Sequence, residues 1–236
     1  MSLFVSKYYK SGNPQKLVIF VHGYNGTPAA IHYAVEMLLT HLKDAVIVVP
    51  QAPFPCEKDK KNLQWLSFYE EDPLVRFRNP EASVEEIFDI FNRLGHRFAE
   101  VSSQMNTFID EQQTLWKIDE ADTYLIGFSQ GAMISLYTAL TRKQPLGGCI
   151  SVAGIIAGKD LLEKQISSKP KLLLLHGKED ATVQYKTVAS TKQWLTDHHI
   201  PFDYAEFEGL AHRMNEAEMK KAADFINSEG KNLPSA

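Results

Sequence analysis

The stretch Tyr124-Leu125-Ile126-Gly127-Phe128-Ser129-Gln130-Gly131-Ala132-Met133 decides how the chain is read. It holds G-x-S-x-G between a strand-like run at 123–126 and a helix-like run at 132–140. In that context the motif places a serine on a sharp turn between strand and helix, with its hydroxyl exposed at the strand end. Small neighbours are needed because the backbone there is strained and the two elements approach closely. The plain alternative is a glycine-rich turn carrying an idle serine.

A serine hydroxyl is a weak nucleophile at neutral pH. It needs a base within hydrogen-bond reach and a carboxylate that orients the base. Two later junctions supply them. A predicted strand at 171–176 runs into Gly177-Lys178-Glu179-Asp180, and a predicted strand at 202–207 runs into Glu208-Gly209-Leu210-Ala211-His212. Ser129, Asp180 and His212 thus follow one another at strand ends, where sites of parallel sheets gather. Glu179 is the rival acid.

The other histidines have plainer readings. His198 and His199 fall near the end of an amphipathic helix, and His32, His41 and His96 fall within helices. His22 and His176 each precede or meet glycine at a strand end, where a structural hydrogen bond is the expectation.

An oxyanion site needs two donors aimed at the developing charge. One expectation is the backbone N–H of Gln130, directly after the serine. The other is the N–H of Tyr24 in His22-Gly23-Tyr24-Asn25-Gly26, a loop after an early strand with glycines on either side. The plain alternative is a turn leading into the next helix.

Further out, apolar runs alternate with amphipathic segments, the pattern of a mostly parallel sheet with helices on both faces. Strands are predicted at 3–8, 16–22, 45–49, 122–127, 148–152, 171–176 and 202–207. Thr27-Pro28 predicts a helix start, followed by an apolar face of Ile31, Ala34, Val35, Leu38, Leu39 and Leu42. Ser83 with Glu86 predicts a capping box, and a helical pattern follows with a break near Gly95. Asn215 with Glu218 predicts the last helix start. The tail 231–236 is read as frayed.

One stretch fits neither period. Residues 50–80 carry Pro50, Pro53, Pro55, Pro73 and Pro80 among Phe54, Trp65, Phe68, Tyr69 and Phe77. A connection this long is usually a lid or binding loop. Alternatively its aromatics pin it to the body. Phe54, Trp65 and Phe68 are the candidate substrate-binding residues, lining an apolar acyl channel.

The chain has 236 residues, 44% of them hydrophobic and 11% aromatic, enough for a core in one domain spanning 1–236. Lys plus Arg is 25 and Asp plus Glu is 29, so the net charge of −4 argues against a nucleic-acid binder that works through a basic face. Cys56 and Cys149 cannot make a disulfide framework. The N-terminal residues lack the pattern of a secretory signal, and no apolar run approaches the ~20 residues of a membrane span. A cytoplasmic protein is expected. There is no H-E-x-x-H, C-x-x-C, P-loop or G-x-G-x-x-G, so no metal and no cofactor is expected.

Taken in order, the pieces resemble the phospholipase/carboxylesterase family of α/β hydrolases, which contains the acyl-protein thioesterases. His22-Gly23 resembles its early H-G loop, and Pro50-Gln51-Ala52-Pro53 its proline-rich stretch. Gln104–112 resembles the helix before the nucleophile, and Gly127-Phe128-Ser129-Gln130-Gly131 matches the nucleophile turn. His176-Gly177 with Asp180 and Val183 resembles the acid loop, and Gly209-Leu210-Ala211-His212 the histidine loop. Trp65 stands where the family has a tryptophan motif.

The resemblance implies an α/β-hydrolase fold, a triad of Ser129, Asp180 and His212, and oxyanion donors at Tyr24 and Gln130. Two departures concern the substrate. The family often has H-G-L-G-D where this chain has His22-Gly23-Tyr24-Asn25-Gly26, and the connection over 70–97 is longer than usual. The expected activity is hydrolysis of small to medium acyl esters, the partner being a small-molecule or acylated substrate. A long-chain acyl thioesterase or lysophospholipase is the alternative. A catalytically idle hydrolase-like binder is the second alternative, motivated by the altered oxyanion loop. Physiological substrate and oligomeric state stay open.

Overall fold

Apolar strands buried on both faces organise the molecule. The computed structural model describes residues 4–229. The predicted strand start at Leu3 and the tail 231–236 lie outside the described residues. In chain order the strands are β1 (Ser6–Ser11), β2 (Lys16–Val21), β3 (Ala45–Pro50), β4 (Phe54–Pro55), β5 (Leu63–Gln64), β6 (Thr123–Phe128), β7 (Gly148–Val152), β8 (Leu172–Gly177) and β9 (Phe202–Phe207). Seven of them form one sheet in the order β1-β3-β2-β6-β7-β8-β9, and β4 and β5 form a small hairpin. β1 pairs antiparallel with β3, and the other neighbours in the large sheet are parallel.

The helices are α1 (His32–His41), α2 (Val84–Arg93), α3 (Gly95–Trp116), α4 (Gln130–Thr141), α5 (Lys159–Leu162), α6 (Val188–Asp197) and α7 (Glu216–Glu229). Alternate residues of each strand feed opposite cores. Leu17, Ile19 and Val21 pack with α2, α3 and α4 on one face. Val18 and Phe20 pack with α1 and α7 on the other. α4 is buried from Gln130 to Leu140, which explains why it carries apolar side chains on every face and no charged one.

β2 lies between β3 and β6, so the chain leaves β2 toward one edge and returns on its other side. A crevice opens outside the carboxyl ends of the strands at such a reversal, which is where parallel sheets bind ligands.

Most predicted elements are present, with shifted ends. The first strand runs 6–11 rather than 3–8. Thr27 does receive the Ala30 N–H on its Oγ1 at 3.2 Å, but this caps a separate turn, and α1 begins only at His32 without a side-chain cap. The Ser83–Glu86 capping box is formed in both directions. The helical pattern breaks at Leu94, between α2 and α3.

Segment 50–80 is tied down by buried aromatics. Trp65, Phe68 and Phe77 are buried, while Phe54, Tyr69 and Leu74 remain exposed. Phe68, Phe77 and Phe91 form a ring cluster with edge-to-face and tilted contacts.

At the start of α7, Glu218 accepts the Asn215 N–H at 3.0 Å and donates its own N–H to Asn215 Oδ1 at 2.9 Å. Its side chain is fully buried, and Oε1 has no partner among the described residues. Burial raises this carboxyl to about 7, against the Asn215 bond and with help from the Asp180 charge. The folded chain therefore keeps the Glu218 proton over a range in which the unfolded chain releases it. That stabilisation is complete below about pH 4.5 and is lost as pH rises through about 7. Glu218→Gln keeps the group neutral at every pH. Between pH 4 and pH 8 the stability difference should move in the variant's favour by about 3 kcal/mol in urea unfolding. A difference that does not change with pH contradicts the assignment.

Candidate active site

The turn that carries Ser129 is built by backbone crowding. Ser129 sits between β6 and α4 at φ 57° and ψ −120°, a conformation that costs a non-glycine residue about 1–3 kcal/mol. A Cβ on Gly131 would collide with the carbonyls of Val21 and His22, and one on Gly127 with the backbone of Gly131. The two motif glycines thus let β2, β6 and α4 meet under the serine. Ser129 is also held by its N–H, which donates to Val152 O on the neighbouring strand at 3.0 Å.

From the other junctions the sheet delivers the remaining groups. Ser129 Oγ lies 3.0 Å from His212 Nε2, and His212 Nδ1 lies 2.7 Å from Asp180 Oδ2. Asp180 is buried, and its other oxygen accepts the Thr182 and Val183 N–H groups at 2.8 and 2.9 Å. Burial opposes ionisation of Asp180. The bonds and charge of His176 and His212 outweigh it and hold the carboxyl below the ordinary carboxylate range. Glu179 is exposed and contributes only its N–H, to Leu210 O at 3.0 Å. That bond ties the acid loop to the histidine loop. A Cβ on Gly177 would strike Leu210 O, so the two loops touch there as well. The Phe128 ring packs 4.8 Å from the His212 ring.

Of the other histidines, His176 also faces Asp180, with its Nε2 3.5 Å from Oδ2. His176 Nε2 donates to Val183 O at 2.9 Å. His32 pairs with Glu36, and His198 stacks on Trp194.

His22 has a positional role. Its Nε2 accepts the Ala52 N–H at 3.2 Å, so Nδ1 carries the proton and donates to Gly23 O at 2.9 Å. Burial drives its pKa down to about 4, against the Gly23 bond, so it stays neutral.

The loop it supports lies directly against Ser129. A Cβ on Gly23 would stand 3.2 Å from Ser129 Cβ. Tyr24 follows, and among the described residues its N–H has no acceptor. Gln130 opens α4, whose first N–H groups have no intrahelical partner and are not capped by Ser129. A helix N-terminus with free N–H groups favours an anion.

Segment 50–80 is strapped to this turn. Trp65 Nε1 donates to His22 O at 2.8 Å. Gln130 Oε1 accepts the Trp65 N–H at 3.0 Å, and Gln130 Nε2 donates to Leu66 O at 3.0 Å. Trp65 is therefore a buried anchor, and it also walls a mixed cleft of about 430 Å³ in which Phe54, Leu66 and Val101 stand beside Glu70, Arg97 and Glu100, and which Ser129 and His212 do not line. Phe68 does not line that cleft. It packs 5.2 Å from the Tyr24 ring instead.

Three side chains escaped the sequence reading. The Gln130 side chain, besides the backbone N–H that the sequence singles out, bonds to Trp65 and Leu66. Gln184 Nε2 donates to Phe77 O and Asn79 O, both at 2.9 Å, joining the acid loop to segment 50–80. Lys186 Nζ reaches Pro80 O at 2.7 Å. Partners more than 100 residues apart leave no local signal. Among the described residues no cluster of His, Cys, Asp and Glu is placed to hold a metal ion, and no helix is long and apolar enough to cross a membrane.

The sequence profile of the phospholipase/carboxylesterase family matches residues 8–229. Acyl-protein thioesterase 1 homolog 1 of Dictyostelium discoideum is 25% identical over 221 residues, covering 92% of this chain and 90% of its own. Acyl-protein thioesterase 1 of Debaryomyces hansenii is 27% identical over 225 residues, covering 89% of each. Among solved structures, esterase PE8 superposes with a TM-score of 0.79 at 24% identity, covering 95% of this chain and 98% of that one. The Bacillus cereus carboxylesterase superposes with a TM-score of 0.69 at 15% identity, covering 96% and 95%. These two likenesses carry the fold. With the profile spanning nearly all described residues and the sheet order and strand-end loops in place, the chain belongs to the phospholipase/carboxylesterase family of α/β hydrolases.

Proposed function

We propose that this ester-bond hydrolase is a serine esterase that cleaves small to medium acyl esters through an acyl-enzyme on Ser129. The observation that carries the reading is the unbroken hydrogen-bond chain from Asp180 through His212 to Ser129 Oγ. His212 takes the serine proton on Nε2 as Oγ attacks the acyl carbonyl. It returns that proton to the leaving group, then activates water to release the acyl group. Asp180 holds the Nδ1–H tautomer and stabilises the imidazolium. The N–H groups of Tyr24 and Gln130 bind the oxyanion. No cofactor takes part, and the enzyme works in the cytoplasm as one hydrolase domain, with Cys56 and Cys149 as free buried thiols.

The second reading is a long-chain acyl thioesterase or lysophospholipase. The relatives named acyl-protein thioesterase favour it. An idle binding protein is disfavoured. Its motive was the altered oxyanion loop, and that loop still lies against Ser129.

Ser129→Ala should lower kcat on a p-nitrophenyl ester by roughly 10⁴–10⁶-fold, and turnover close to the parent's would refute the mechanism. Asp180→Asn forces the wrong tautomer on His212. It should cost roughly 10³–10⁴-fold in kcat while the fold persists in circular dichroism. Across an acyl-length series the small-ester reading expects the highest kcat/KM at short to medium chains. A rate that climbs steadily to palmitoyl length selects the second reading.

A further inference from the structure

Arg78 stands out among the cations that the mechanism does not use. Its guanidinium carbon lies 5.5 Å from the centre of the Tyr24 ring and 5.4 Å from that of Phe77. Its Nε is buried without a hydrogen-bond partner, and no carboxylate among the described residues pairs with it. The acids nearby are engaged elsewhere. Asp72 accepts from Arg76 Nε at 2.9 Å and from the Phe77 N–H at 3.2 Å. Glu57 accepts the Tyr24 hydroxyl at 3.2 Å. A buried guanidinium N–H left without an acceptor is costly and calls for a physical account.

The position of Arg78 is fixed from both sides. Phe77 O and Asn79 O, its two neighbours in sequence, both receive Gln184 Nε2 from the loop that carries Asp180. Tyr24, which it covers, belongs to the loop that carries the oxyanion donor. Arg78 lies over the Tyr24 ring, Tyr24 follows Gly23 in the chain, and Gly23 lies against Ser129. Segment 72–80 therefore bridges the acid loop and the oxyanion loop and presents one uncommitted positive charge at their junction. A planar fork with free donors suits a carboxylate or phosphate, whose oxygens it can bind in pairs.

We propose that Arg78 is a specificity residue that binds an anionic group, carboxylate or phosphate, on the ester substrate. This rests on the serine-esterase reading and names the substrate class of that site. The anion comes either on the acyl side, as in a monoester of a dicarboxylic acid, or on the leaving group, as in an acylated phosphate-bearing alcohol.

The test compares kcat/KM in matched pairs at low ionic strength. p-Nitrophenyl butyrate is set against mono-p-nitrophenyl glutarate for the acyl side. Butyryl glycerol is set against butyryl glycerol 3-phosphate for the leaving-group side. In one of the pairs the parent enzyme should favour the anionic ester. Arg78→Met should lower the anionic-to-neutral ratio by roughly 10–100-fold, the range expected for a lost charge-assisted contact. Arg78→Lys, which keeps the charge without the fork, should retain part of it. Because the readout is a ratio within one protein, loss of folded enzyme does not imitate it. The proposal is overturned if neither anionic ester is favoured, or if Arg78→Met lowers both members of a pair equally. Ser129→Ala on p-nitrophenyl butyrate tests the underlying esterase reading by itself. Absence of turnover by the parent on all four esters overturns both.

Discussion

The close approach of three backbones beneath Ser129 is the constraint on which the site depends. Gly131 allows the first turn of α4 to sit on the carbonyls of Val21 and His22, and Gly127 allows β6 to pass under that same turn. The φ of 57° at Ser129 follows from this geometry and turns the hydroxyl out of the sheet. Any side chain at either glycine would have to push β2, β6 and α4 apart, and the sheet is fully packed there. The same crowding leaves the α4 N-terminus facing the loop at Gly23 and Tyr24.

Strain of this kind persists only when the surroundings over-determine it. Here the surroundings are polar straps. His22 ties Ala52 to the Gly23–Tyr24 loop through its two ring nitrogens, Trp65 ties segment 50–80 to His22 O, and the Gln130 amide binds the backbone of Trp65 and Leu66. A second set, from Gln184 and Lys186, carries segment 76–82 over to the acid loop. Segment 50–80 is thus joined to the Ser129 turn at its middle, through Trp65 and Leu66, and to the Asp180 loop at its C-terminal end. Its bonds link the loops that carry Tyr24, Ser129 and Asp180 across the sheet end.

The three residues that the structure brings together at the strand ends were easier to read in the sequence than the contacts that support them. Ser129 was legible because G-x-S-x-G demands small residues at fixed spacing, and Asp180 and His212 because each follows a short apolar strand. The choice of Asp180 over Glu179 was open from residue type alone. Burial separates them, since Asp180 turns inward to His212 while Glu179 faces solvent. The capping boxes at Ser83 and Asn215 were readable because they are local. Thr27-Pro28 misled for the same reason: a good local cap closes a turn that the helix does not continue. Phe68 reads like a pocket residue by type, yet it packs under Tyr24. The Trp65, Gln184 and Arg78 contacts depend on chain segments brought together only by the sheet, so no spacing announces them.

The central claim is that Ser129 is the activated nucleophile of a competent site. Its most direct measurement is covalent labelling by a p-nitrophenyl alkylphosphonate, with release of nitrophenol and peptide mass mapping. The account predicts stoichiometric nitrophenol release and a single adduct on the peptide bearing Ser129, with labelling slowed strongly by His212→Ala. A folded protein that takes up no label, or carries it on another residue, would contradict it.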